Sequence, residues 1–219
     1  MRARAVRLRR LMSTEAASRR RAAVVLARYE ASSAAPEGID RASFAEACLL
    51  DCYEVVADLI GVKSGVAGPP SVADMLWPGA LHLPADITTS ALADRLSEVA
   101  DELVVLPADL PDLPGLVLAK LFKVLHRTDI AIAPERSGIG CAAIGVSLPL
   151  AAWIPDDAFD LDHNPYPRLS DIAPRRSRCV LTPAWHRLRT PADVSRLDPG
   201  LEGWEETRAL LAGRALASD

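Results

Sequence analysis

The chain has 219 residues, 50% of them hydrophobic and 25% charged, enough for a full core in one large domain or two small ones. No apolar run approaches the ~18 residues of a membrane-spanning helix, which excludes that class of membrane protein. Four cysteines (Cys48, Cys52, Cys141, Cys179) stand at no zinc-knuckle spacing, so neither a disulfide framework nor a structural zinc site is suggested. The net charge of −4 hides an asymmetry: the first 21 residues carry eight Arg and one Glu, a sum of +7, leaving −11 for the rest. An acidic body argues against a nucleic-acid-binding domain, because phosphate backbones require a basic face.

Residues 1–21 read as a disordered basic arm ahead of a single domain over 22–219. Two other readings stay open: an extension upstream of a chain that begins at Met12, or a basic anchor for acidic lipid or RNA. The basic start is not followed by the roughly 7–15 apolar residues of a secretory signal, so the expected location is the cytoplasm, without a membrane partner.

In chain order, Ala22–Ala27 is a short apolar run expected as a buried strand. Asp40 can cap a helix on which Phe44, Cys48, Leu49, Cys52, Val55, Val56 and Leu59 fall at helical spacing, with the two cysteines as core thiols. Ser71–Trp77 is expected as a short helix and Ala80–Leu83 as a short strand. Thr88 or Thr89 caps a helix through Ala100, with Leu92, Leu96, Val99 and Ala100 inward. Glu102–Ala108 is the strongest buried-strand signal. Pro114 suits the first turn of a helix running to about His126, with Asp112 as its expected cap. Asp129–Pro134 and Cys141–Ser147 read as strands around a glycine turn; residues 148–176 are rich in Pro and Asp and poorly periodic. Arg178–Thr182 is a late strand, Thr190-Pro191-Ala192-Asp193 a helix start, and Leu201–Ala215 a last helix. Alternating strands and helices predict an α/β domain, a mostly parallel sheet with helices on both faces. The 17 prolines predict many turns and few long helices.

Ligands of open α/β sheets bind beyond the carboxyl ends of the strands. That singles out Asp109, which follows the Val-Val-Leu run and could hold Mg²⁺ against a phosphate or cap the next helix. Gly138-Ile139-Gly140 is either a flexible hairpin turn or a place of close backbone approach to a ligand. Asp160 and Asp162, beside His163, form a second candidate metal group or a solvated acidic loop. His82, His126 and His186 are isolated and receive no catalytic role.

Three segments, LVVLPADLPDLP at 103–114, DIAIAPERSGIGCAAIGV at 129–146 and LRTPADVSRL at 188–197, occur in an order and spacing that resemble the 2-phospho-L-lactate guanylyltransferase and MobA-like nucleotidyltransferases. The resemblance implies a glycosyltransferase-A-like, nucleotide-diphospho-sugar transferase fold. It implies a metal- and nucleotide-facing role for Asp109 and ligand contacts from Arg136, Gly138 and Gly140, with Ser137 a candidate contact that stands where the family has an acid. The chain also departs from that pattern. The basic first loop of the family is here Tyr29–Glu37 with Arg28 alone at its mouth, and the late metal-binding acids are replaced by Arg187 and Arg189.

The expectation is therefore a nucleotidyltransferase-like protein that binds a nucleoside triphosphate or sugar nucleotide and a small anionic acceptor. Arg187 and Arg189 would clamp phosphate, and Asp109, with Asp160 or Asp162, would keep one Mg²⁺. The alternatives are a catalytically inactive relative serving as a nucleotide- or protein-binding subunit, a homodimer included, and an α/β interaction module.

Overall fold

The computed structural model describes residues 19–213. Of the expected basic arm, residues 1–18 lie outside the described residues. Arg19, Arg20 and Arg21 are already tied to the sheet: Arg19 and Arg21 pair with the buried Glu102, and Arg20 pairs with Asp101. These three residues, assigned to the arm in the sequence, are thus tied to the sheet.

Seven strands form one sheet in the order β3-β2-β1-β4-β6-β5-β7. They are β1 (Arg21–Leu26), β2 (Val62–Ala67), β3 (Leu81–Leu83), β4 (Glu102–Pro107), β5 (Ile130–Pro134), β6 (Cys141–Ser147) and β7 (Cys179–Leu181). All neighbours run parallel except β6, which is antiparallel to both β4 and β5. Strict alternation would have made every pair parallel; the tight glycine turn at 138–140 instead folds β5 and β6 into a hairpin, which a parallel pair cannot make.

The central strands explain their own burial. Along β1 and β4 successive side chains point to opposite faces. Ala23, Val25, Val104 and Leu106 enter one core; Ala22, Val24, Leu26, Leu103 and Val105 enter the other. The first core is closed by α1 (Arg41–Ala57) and α3 (Gly115–Leu125), through Leu49, Cys52, Tyr53 and Val56 on one and Leu118, Leu121 and Phe122 on the other. The second is closed by α2 (Thr89–Ser97), α4 (Tyr166–Ile172) and the aperiodic stretch before it, whose Ile154, Phe159 and Leu161 pack directly on the sheet. A third cluster joins the first loop to the end of the chain: Ala31, Ala34, Phe44, Cys48, Leu188, Leu197 and Trp204. Short α5 (Glu205–Leu211) lies here, its first amides received by buried Asp51 of α1.

Local signals placed several ends. Asp40 accepts the amide of Ser43 at 2.8 Å, and Thr88 accepts that of Ala91 at 3.3 Å. Other expectations are corrected. Asp112 caps nothing; α3 starts from Pro114, while Asp112 accepts the Trp185 indole N–H at 3.1 Å and the Asp198 amide at 3.2 Å. Val99 is exposed because α2 ends at Ser97. β2 and α4 carry no clear signal in the sequence. Lys63, Ser64 and Gly65 interrupt any apolar pattern in β2, and Gly65 is fitted to its neighbour: a Cβ there would stand 2.9 Å from Leu81 Cβ and its carbonyl oxygen. The expected helices at 71–77 and from Pro191 are 3-10 turns, Pro70–Met75 and Pro191–Arg196. Among the described residues no helix is long and apolar enough to cross a membrane.

Candidate functional site

Beyond the carboxyl ends of β1 and β4 lies a cleft of about 310 Å³, lined by Arg28, Tyr29, Glu30, Ser33, Asp109, Asp162, Arg187, Leu188 and Arg189. Backbone hydrogen bonds bring its walls together. Ala108 donates to the Tyr29 carbonyl at 2.8 Å, tying the first loop to the end of β4. Leu188 donates to the Asp109 carbonyl at 2.8 Å, laying the late segment alongside. In that extended segment Leu188 turns into the third apolar cluster, so Arg187 and Arg189 both face the cleft.

Arg187 is the largest fully buried side chain in the domain, at 1% exposure. Its Nε donates to both oxygens of Asp109, at 2.8 and 3.0 Å, and its Nη2 to Oδ2 at 2.7 Å. Nη1 donates to the Leu161 carbonyl at 2.7 Å and approaches Asp162 Oδ1 at 3.2 Å. The guanidinium also lies over the Tyr29 ring, 5.6 Å from its centre. Arg189 donates from Nε and Nη2 to Glu135 Oε2, at 3.0 and 2.9 Å, and from Nη1 to Asp162 Oδ1 at 2.8 Å. Asp193 closes a capping box at Thr190 and accepts the Arg189 amide at 3.1 Å, which fixes where that side chain begins.

Burial pushes the Asp109 carboxyl up to about 6, against the pull of Arg187. Burial also works against charge on Arg189, but its bonds to Glu135 and Asp162 hold the guanidinium above its ordinary value.

The expected site residues divide. Asp109, Asp162, Arg187, Arg189 and Arg28 meet in the cleft. Arg28 reaches the Ile87 carbonyl at 3.0 Å and has no carboxylate within 4 Å among the described residues. Asp160 faces a neighbouring groove with Arg28, Thr88 and Asp157, and binds His163 Nδ1 at 2.8 Å. Arg136, Ser137 and Gly138 do not line the cleft: Arg136 covers the Trp185 ring, Ser137 accepts the Ile139 amide at 3.2 Å, and Gly138 takes the positive φ of the hairpin turn. Gly140 serves the chain's own packing, since a Cβ there would lie 2.6 Å from both Arg189 Nη2 and the Leu161 carbonyl. The sequence reading missed Glu135, Tyr29, Glu30 and Ser33. For Glu135 a signal existed: an acid closing an apolar strand whose burial demands a cation.

The expected Mg²⁺ is poorly served by this donor set. Both oxygens of Asp109 are taken by Arg187, and Asp162 Oδ1 is shared by two guanidiniums. Among the described residues no group of three or more His, Cys, Asp or Glu stands close enough to hold a metal ion. Two positive charges beside the remaining acids repel a divalent cation.

Solved structures share this architecture. A protein assigned as a nucleotide-diphospho-sugar transferase from Desulfovibrio desulfuricans G20 superposes with a TM-score of 0.59 at 15% identity, over 88% of this chain and 97% of that one. The chain has the nucleotide-diphospho-sugar transferase fold. A cytidylyltransferase from Leptospira borgpetersenii serovar Hardjo-bovis matches at 0.51 and 10% identity, over 88% and 92% of the two chains. The 4-diphosphocytidyl-2C-methyl-D-erythritol synthase of Anaerococcus prevotii matches at 0.52 and 8% identity, over 80% and 93%. No protein-family model matches the sequence, and a search of curated proteins finds no match.

Proposed function

We propose that this chain is a nucleotidyltransferase-like protein whose cleft binds a nucleoside triphosphate or sugar nucleotide without a divalent metal, Arg187 acting as a built-in cation. One observation carries the reading: the buried guanidinium of Arg187 grips both oxygens of Asp109, the acid that the family resemblance assigns to the metal. A guanidinium delivers positive charge and directed donors with no hydration shell to strip, and its planar fork suits phosphate and carboxylate alike. Arg28, at the mouth of the same cleft, adds a cation that no described carboxylate neutralises. Its guanidinium lies over the Tyr29 ring, 5.1 Å from the ring centre. The same grip on Asp109 favours a second reading, a transfer-inactive relative acting as a binding subunit, because metal-assisted transfer would need Asp109 released.

Thermal-shift screening of nucleoside triphosphates and sugar nucleotides, with Mg²⁺ and with chelator, tests the first reading. GTP comes first, because the resembled family uses it. A ligand at a hundred times its Kd stabilises the native state by about 2.7 kcal/mol, a shift easily read. Stabilisation that survives chelator is expected. Stabilisation seen only with Mg²⁺, or none with any nucleotide, overturns the proposal. Assay of nucleotide turnover in the same samples separates transfer from binding alone.

A further inference from the structure

Three carboxylates face two guanidiniums in the cleft, and they are not equivalent. Asp109 and Glu135 each have a dedicated arginine and side chains only 4% exposed. The Asp162 side chain is 45% exposed, and one of its oxygens, Oδ1, bridges Arg187 Nη1 at 3.2 Å and Arg189 Nη1 at 2.8 Å. It is the surplus acid, and it occupies the point where the two arginines converge.

We infer that Asp162 is an internal occupant of an anion site. The phosphate-type group of the ligand binds between Arg187 and Arg189 by displacing the Asp162 carboxylate, which thereby restrains binding. The chain is built for such an exchange. The loop backbone is anchored independently of the Asp162 side chain: the Leu161 carbonyl accepts from Arg187 Nη1 and from the Cys141 amide, at 2.7 and 2.9 Å, and the Asp162 amide donates to Asp160 at 3.1 Å. The side chain can swing into the cleft opening by rotamer change alone. The arginines stay in place when it leaves, because Asp109 holds one and Glu135 the other. An incoming phosphate oxygen replaces one charge-assisted acceptor by another and brings further oxygens within reach of the same Nη1 groups. This refines the site of the proposed nucleotide function and rests on that reading only for what the phosphate is attached to.

Inorganic pyrophosphate, titrated calorimetrically in the presence of chelator, probes the site without presuming a nucleotide. Asp162→Ala is expected to bind it about tenfold more tightly than the native chain, with only a small fall in melting temperature because Asp109 and Glu135 keep both guanidiniums paired. Asp157→Asn removes an equal charge five residues away, where Asp157 pairs with Arg168; it is expected to leave pyrophosphate affinity within about twofold. Equal or weaker binding by Asp162→Ala, an equal gain in Asp157→Asn, or no binding by any form overturns the inference. Tighter pyrophosphate binding by Asp162→Ala with no nucleotide bound by either form upholds the anion site and removes the nucleotide reading. Metal-independent nucleotide binding that Asp162→Ala leaves untouched does the reverse.

Discussion

Replacing Arg187 by Met keeps an unbranched side chain of similar reach but removes the charge, leaving Asp109 in its dry position with no counter-charge on that side. Breaking a buried ion pair by removing one partner costs roughly 3–5 kcal/mol. Native domains of this kind hold about 5–15 kcal/mol in all, and at this size each kcal/mol moves the melting point by about 2–4 °C, so a fall of roughly 6–20 °C is expected. The loss has a pH signature. Asp109 is raised to about 6 in the folded chain, against about 3.9 unfolded, so its contribution is complete below the unfolded value and is lost as pH rises through the folded one. Without Arg187 the pull toward ionisation disappears and the folded value climbs further. The deficit relative to the native chain should therefore be larger at about pH 8 than at about pH 5. Calorimetric melts of the native chain, Arg187→Met and Asp109→Asn/Arg187→Met at the two pH values supply the test. The double variant should recover part of the loss at the higher pH. A single variant within about 1 kcal/mol of native, an equal deficit at both pH values, or a double variant no better than the single would refute the account of a dry, mutually dependent pair.

Gly140→Ala should cost about 1–3 kcal/mol, because its methyl meets the Leu161 backbone carbonyl, which cannot swing aside, as well as Arg189; urea unfolding midpoints measure this. Asp51 of α1 accepts the first amides of α5, with Glu54 near it, and burial pushes its carboxyl up to about 7. Native stability should thus fall as pH rises from about 4 through about 7, and Asp51→Asn should flatten that slope, read as urea midpoints across the range.

What the sequence revealed and what it hid follow from the range of the forces involved. The Val-Val-Leu run of β4 is buried on both faces, so composition alone marks it; Asp40, Thr88 and Thr190 bond within three residues, so their caps are visible locally. β2 is held by its neighbours β1 and β3 rather than by its own residues, and its direction and existence are written elsewhere in the chain. The reversal of β6 depends on a turn whose glycines looked equally suited to approaching a ligand. In the site, the placing of Asp109, Arg187 and Arg189 at one cleft was legible from strand position and motif order. Their mutual binding was not, because charges 78 residues apart reveal nothing of their distance until the sheet is folded. Arg136 and Ser137 matched a motif by position but were turned aside by Trp185 and by the hairpin itself.

Leu188 gives the late segment a vernier. It sits between two arginines whose side chains must emerge on the opposite side, and it is seated among Phe44, Leu197 and Trp204, far along the chain from the strand ends that form the cleft. A slip of one residue in that seating would point both guanidiniums into oil and a leucine at Asp109. The packing of Trp204 near the end of the chain is thus an alignment standard for charges it never touches, and wear at that remote apolar joint would be read first as a mis-set cleft.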